Sequence, residues 1–146
     1  MKGINRITIH HEGWKVVGFD DYASTAARLD LIRRSHVNRK FADIGYHFII
    51  DRAGRVYEGR SVQYQGAHVR DNNEHNLGIM CLGNFDQQQP TDAQLRSLAA
   101  TVALFRKRYN ISASRVFTHR EIVSTACPGR NLQSRVASLR RSKAFG

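Results

Sequence analysis

The order in which two hydrophobic periods alternate along this chain restricts its fold more than any other feature. Arg6-Ile7-Thr8-Ile9-His10 alternates polar and apolar residues and carries β-branched side chains, the period-two signature of a half-buried strand ending at His10. From residue 22 to residue 36 the apolar positions Ala23, Ala26, Ala27, Leu29 and Ile32 recur at helical spacing instead, with arginines among the others. A loop with Gly13 and Gly18 joins the two, and Asp20 or Asp21 is placed to cap the helix. Strand character returns at residues 46–51 and 55–58, and the glycine-bearing turn between them makes a β-hairpin. An apolar run at residues 76–82, closed by Gly83, is short enough for a buried strand. Thr91-Asp92-Ala93-Gln94 then opens a second helix in the pattern of a capping box, and Leu95, Leu98, Ala99, Val102 and Phe105 form its buried stripe. A strand at residues 115–117 and a basic helix over about residues 131–141 complete the series. The order β, α, hairpin, β, α, β, α predicts a single α/β domain over residues 1–146, with a central mixed β-sheet flanked by helices.

Composition narrows the function. A chain of 146 residues buries a core without covalent staples, and two cysteines, Cys81 and Cys127, do not make a disulfide scaffold. The formal charge of +11 draws such a protein toward anionic polymers, whether nucleic acid, lipid surface or bacterial envelope. No nucleic-acid-binding motif accompanies the charge, so no specific nucleic-acid partner is expected. No window is apolar enough to span a bilayer, and the first residues lack the apolar region of a secretory signal. The expectation is synthesis in the cytoplasm.

The chemistry concentrates in the stretch from Phe117 to Gly129, where His119 and Cys127 stand eight residues apart in a turn-rich loop. A catalytic zinc site takes three protein ligands and keeps a fourth position open, so this pair is two-thirds of one. In a mixed sheet the end of the first strand can meet the loop after the last, which would bring His10 beside them. Strand alternation turns His10 and His11 to opposite sides, so only one of them can face the site. Residue types and spacing alone leave the bland alternatives open: a hydrogen-bonded or surface histidine, a cysteine acting as a small buried apolar group, and Tyr46 as a core aromatic. The long loop at residues 59–76, with little periodicity and several amide and imidazole side chains, is of the kind that carries function.

Several segments, in order, resemble one family: Ile7-Thr8-Ile9-His10-His11, Asp43-Ile44-Gly45-Tyr46-His47-Phe48, Gly54-Arg55-Val56-Tyr57-Glu58-Gly59-Arg60, Gln65-Gly66-Ala67-His68, Gly83-Asn84-Phe85, and Thr118-His119-Arg120-Glu121 through Cys127-Pro128-Gly129. From about Arg6 to about Leu132 the chain is similar to the zinc-dependent N-acetylmuramoyl-L-alanine amidases of the peptidoglycan recognition protein and phage lysozyme superfamily. The resemblance implies that His10, His119 and Cys127 bind Zn2+ and that Tyr46 is the catalytic tyrosine. It also implies substrate contacts for His47, His68 and Asn73. Thr125 matches the threonine of the catalytically active recognition proteins, where the phage enzymes carry a lysine. Related amidases that recycle wall fragments carry a glutamate where this chain has Met80, so the tyrosine-dependent variant is the better model. Asp43 and Glu121 are candidates to orient a ligand histidine. No role is assigned to His11, His36 or His75.

Together with small size, a single domain and basic charge, the resemblance implies a monomeric zinc hydrolase that cuts peptidoglycan between N-acetylmuramic acid and L-alanine, in the manner of a phage or prophage endolysin released to the wall by another factor. A bacterial wall amidase, an antibacterial effector and a non-catalytic peptidoglycan-binding module are the competing readings. The presence of all three ligands and Tyr46 argues against the last. The basic residues Arg130, Arg135, Arg140, Arg141 and Lys143 read either as a solvated helix face or as a contact for anionic envelope lipid.

Overall fold

A computed structural model describes residues 1–16, 18, 21–38 and 44–146. The elements follow in the predicted order: β1 (Arg6–His11), α1 (Tyr22–Asn38), β2 (Phe48–Ile50), β3 (Val56–Glu58), β4 (Asn76–Cys81), α2 (Asp92–Tyr109), β5 (Val116–Thr118) and α3 (Arg130–Arg141). Their strands form one mixed sheet in the order β3-β2-β4-β1-β5. β1 runs parallel to β4 and β5, β2 runs parallel to β4, and only the hairpin strand β3 is antiparallel.

Alternation along the strands sorts the two faces. Ile7 and Ile9 of β1 join Leu77, Ile79 and Cys81 of β4 in a core closed by Leu98 and Val102 of α2 and Leu132 and Val136 of α3. Ile49, Met80 and Leu82 form a smaller cluster with Ile32 of α1 and Ile44. Because β1 is central, residues of its opposite phase, Thr8 and His10, are also removed from water, each less than 2% exposed. A buried histidine at the carboxyl end of a central parallel strand is where an open α/β sheet places ligands.

Three details depart from the sequence reading. The stripe of α1 that packs is Thr25, Ile32 and His36, while Ala23 and Ala27 face solvent. Spacing identified the helix but not its phase, since alanine signals a buried face weakly. Asp21 does cap this helix, accepting the Ser24 N–H at 2.9 Å, whereas Asp20 lies outside the described residues. The capping box of α2 is half formed: Thr91 Oγ1 accepts the Gln94 N–H at 3.0 Å, but the Gln94 amide donates to the carbonyls of Ile50 and Leu82 at 3.1 and 3.0 Å. It thereby ties the helix to the ends of two strands. Finally, Tyr46 and His47 precede β2 rather than belonging to it, although His47 N–H still donates to Gly78 O at 2.9 Å and Arg60 N–H to Tyr46 O at 2.8 Å.

In α3 the apolar side, Leu132 and Val136, is buried in the core. Arg140 pairs with Glu121 and donates to Val116 O, and Arg135 stands 3.8 Å from Asp92. The helix is therefore docked on the sheet and offers solvent only its charged side.

Candidate metal centre and cleft

β5 ends at Thr118, beside Ile9 in the parallel register, so the next residue, His119, emerges next to His10. Their ring centroids are 4.6 Å apart. A 3-10 turn at His119–Glu121 is fixed by a true capping box, Thr118 with Glu121, a pattern the sequence reading did not extract. The chain then returns, with Arg120 N–H donating to Cys127 O at 3.0 Å, and sets Cys127 Sγ 3.6 Å from His10 Nδ1. Gly129, at φ +83°, lets the loop pass the next segment: a Cβ there would lie 2.5 Å from the Phe85 carbonyl carbon and 2.8 Å from Asp86 N.

One ligand atom from each of His10, His119 and Cys127 lies within 4.8 Å of the others. Tetrahedral zinc with usual Zn–N and Zn–S lengths needs ligand atoms about 3.3–3.6 Å apart, so the donor set fits such an ion with small adjustment. Burial holds the His10 and His119 imidazoles below their ordinary pKa, with the neighbouring His68, His119 and His11 adding to the effect at His10. Neutral rings are what a metal requires. Burial also pushes the Cys127 thiol up to about 12, so its proton leaves when a metal binds and not before.

Hydrogen bonding decides which nitrogen of His10 faces the site. The Asn76 carbonyl can only accept, so His68 Nε2, 3.0 Å away, carries the proton and His68 Nδ1 is the acceptor. That nitrogen lies 2.9 Å from His10 Nε2, which must therefore donate, leaving His10 Nδ1 unprotonated toward Cys127. His68 is buried, and burial lowers its pKa to about 3, so the relay is neutral at physiological pH. Gly78 makes room for the ring: a Cβ on this strand residue would stand 2.7 Å from His68 Cδ2.

Tyr46 adjoins these groups, its ring 5.1 Å from that of His10 and 6.4 Å from that of His68. With His36, His68, Asn73 and His119 it lines a cleft of about 520 Å3. Thr125, half-buried in the ligand loop, accepts the Cys127 N–H at 3.3 Å through its hydroxyl, which keeps its own proton to donate.

The three residues expected to touch substrate are placed differently from one another. His68 reaches the cleft but is engaged with His10, whose ring it holds through the 2.9 Å Nδ1–Nε2 hydrogen bond. Asn73 borders the cleft, yet its Oδ1 accepts the N–H groups of His68 and Val69, both at 2.8 Å, and so shapes the turn that carries His68. His47 is fully buried, with Nε2 donating to Tyr64 O at 3.0 Å and Nδ1 accepting Gly78 N–H at 3.0 Å; both ring nitrogens are occupied and it does not line the cleft. Glu121 braces the loop through Thr118, Gln133 and Arg140 and contacts no ligand ring. Burial alone would raise its carboxyl, but those hydrogen bonds outweigh it and hold the pKa at about 2. Asp43 lies outside the described residues. His11 and His36, given no role from the sequence, both matter to shape: His11 Nδ1 accepts Phe85 N–H at 3.1 Å, and His36 Nδ1 accepts Gly45 N–H at 2.8 Å.

Comparison with known proteins identifies the family. The family model for N-acetylmuramoyl-L-alanine amidase matches residues 1–130. A pig N-acetylmuramoyl-L-alanine amidase is 33% identical over 129 residues, covering 83% of this chain but only 21% of the relative. Peptidoglycan-recognition protein SC2 of Drosophila melanogaster is 33% identical over 142 residues, covering 93% of this chain and 74% of that protein. Among solved structures, the endolysine N-acetylmuramoyl-L-alanine amidase LysCS from Clostridium intestinale superposes with a TM-score of 0.78 at 29% identity, covering 94% of this chain and 84% of that one. The chain belongs to the N-acetylmuramoyl-L-alanine amidase family.

Proposed function

We propose that this protein is a zinc-dependent hydrolase of the amide bond between N-acetylmuramic acid and L-alanine in peptidoglycan. The observation that carries the reading is the convergence of His10, His119 and Cys127 beside Tyr46 at one end of an open cleft. Family membership supports peptidoglycan amide hydrolysis as the reaction class. His10, His119 and Cys127 would hold the zinc, which when bound would supply a Lewis acid for the scissile carbonyl and lower the pKa of water to near ~7.

The protein's own groups do the rest. His68 holds His10 in the tautomer that leaves Nδ1 free for the metal. The Tyr46 hydroxyl donates to the oxyanion that develops at the carbonyl, and the Thr125 hydroxyl adds a second donor from the ligand loop. Loss of one such donor typically lowers the rate by about 10²–10³. The glycan and stem peptide lie in the cleft between α1 and the loop that carries His68 and Asn73.

The endolysin assignment is supported by the match to LysCS, whose name is that of an endolysine. In this reading the chain is monomeric, is made in the cytoplasm and reaches the wall when another factor releases it. The charge of +11 promotes attachment to anionic envelope polymers or lipid headgroups, through the exposed cations of α3 and not through its buried apolar side.

The test compares the native chain with Cys127→Ser and Tyr46→Phe on purified peptidoglycan. The native chain should hold one zinc, Cys127→Ser should lose it, and Tyr46→Phe should retain it with hydrolysis lowered about 10²-fold or more. A native chain with bound zinc that releases no alanine amino termini sinks the enzyme reading in favour of a binding module.

A further inference from the structure

Past Tyr46 and His36 the cleft runs into a recess of about 190 Å3 between α1 and the segment after β1. Trp14, Leu31, Ile32 and Met80 give it apolar walls, and Glu12 is the one carboxylate in its lining among the described residues. Glu12 N–H donates to Cys81 O at 3.3 Å, continuing the ladder beyond His11. Strand alternation therefore turns Glu12 to the same side as His10. Its side chain is 5% exposed. Oε1 accepts from the guanidinium of Arg28, which also lies 4.4 Å from the Trp14 ring centroid. Oε2 is buried and has no hydrogen-bond partner among the described residues. A carboxylate oxygen can only accept, and leaving one out of water without a donor is unfavourable. This part of the cleft is therefore incomplete until a donor enters it.

The walls indicate what kind of donor. A sugar ring carries hydroxyls around its whole rim, and several would face Trp14, Leu31, Ile32 or Met80 unsatisfied. An aliphatic side chain with one nitrogen at its tip fits better: methylenes lie along the apolar wall while the N–H group reaches the orphan oxygen. We propose that Glu12 is a specificity-determining residue, whose Oε2 accepts a hydrogen bond from the terminal nitrogen of the diamino-acid side chain in the stem peptide. The assignment rests on the peptidoglycan reading for its substrate class. That nitrogen is an ammonium in a free stem and an amide N–H in a cross-linked one, and both donate.

The test measures binding by calorimetry with the metal-free full chain, which leaves the muramoyl amide intact, and muramoyl stem peptides carrying lysine, Nε-acetyl-lysine or norleucine at the diamino-acid position. The native chain should bind the lysine ligand about tenfold or more tightly than the norleucine ligand, the range for a hydrogen bond to a charged group. Glu12→Leu should bring that ratio to within about twofold, and Glu12→Gln, which keeps an acceptor oxygen, should retain part of it. Acetyl-lysine binding like lysine identifies an amide as sufficient, and binding like norleucine identifies the ammonium as the source. A native ratio within about twofold, or an unchanged ratio in Glu12→Leu, overturns the proposal. If Glu12→Leu does not fold, the native ratio and Glu12→Gln decide. Hydrolysis of the same ligands separates the two readings. Preference without alanine release overturns the amidase and leaves Glu12 assigned, whereas release from all three ligands without preference does the reverse.

Discussion

His68 can be separated into its acceptor and its bulk. Leu and Asn are nearly the same shape, but Asn Oδ1 can stand near the place of His68 Nδ1, 2.9 Å from His10 Nε2, and Leu offers nothing there. In His68→Leu the His10 Nε2–H is left without its acceptor in a ring that is 1% exposed. An unsatisfied buried donor costs about 1–3 kcal/mol. Ring orientation and tautomer are then no longer fixed, and losing such a partner typically weakens metal affinity by about 10–100-fold, the same range of free energy. The expected result is a 10–100-fold rise in the zinc dissociation constant for His68→Leu, with most of the native affinity kept in His68→Asn. Competition against a chromophoric chelator at neutral pH measures both. Equal affinities in the two variants, whether both native or both weakened, would refute the acceptor role, because bulk alone would then account for His68.

Zinc binding should release between about one and two protons per chain at neutral pH, one from the Cys127 thiol and a fraction from water brought to a pKa near ~7, while the rings are already neutral; a pH-indicator titration in weak buffer reads it, and Cys127→Ser should release none. The metal-free protein should lose stability as pH falls from about 6.5 toward 4, because burial depresses the folded-state pKa of His68 to about 3 and of His11 to about 4, so the unfolded chain binds more protons in that window. Urea midpoints across it should fall less steeply in His68→Asn. Leu98→Ala, at a fully buried site between α2 and the sheet, should cost about 2–5 kcal/mol in urea denaturation without changing zinc stoichiometry. Neutralising Arg130, Arg141 and Lys143 should reduce binding to anionic vesicles at low salt while leaving hydrolysis of purified peptidoglycan intact; unchanged vesicle binding would remove α3 from the envelope contact.

The fold was largely legible because strand and helix periods alternate cleanly, and parallel pairing of β1 with β4 and β5 follows from their crossover connections. The convergence of His10 with the His119–Cys127 loop followed from that topology. The roles of His68 and His47 did not, because a histidine in a turn-rich loop looks alike in sequence whether it meets ligand, carbonyl or another ring. Gly78 was the available signal: a glycine inside an apolar strand marks a close approach, and the group approaching is His68. Glu12 was hidden for a different reason. It continues the alternation of β1 one residue past the strand's end at His11 and well past the last β-branched residue, Ile9, so nothing in composition distinguishes it from loop.

Mass spectrometry of peptidoglycan digested by the zinc-loaded chain, with a chelated sample alongside, decides whether the protein cuts the muramoyl amide. The digest should contain stem peptides with new L-alanine amino termini and glycan strands whose N-acetylmuramic acid residues have lost their peptides, all abolished by chelation and restored by zinc. New reducing sugar ends, cleavage within the peptide, or digestion that persists without metal would contradict it.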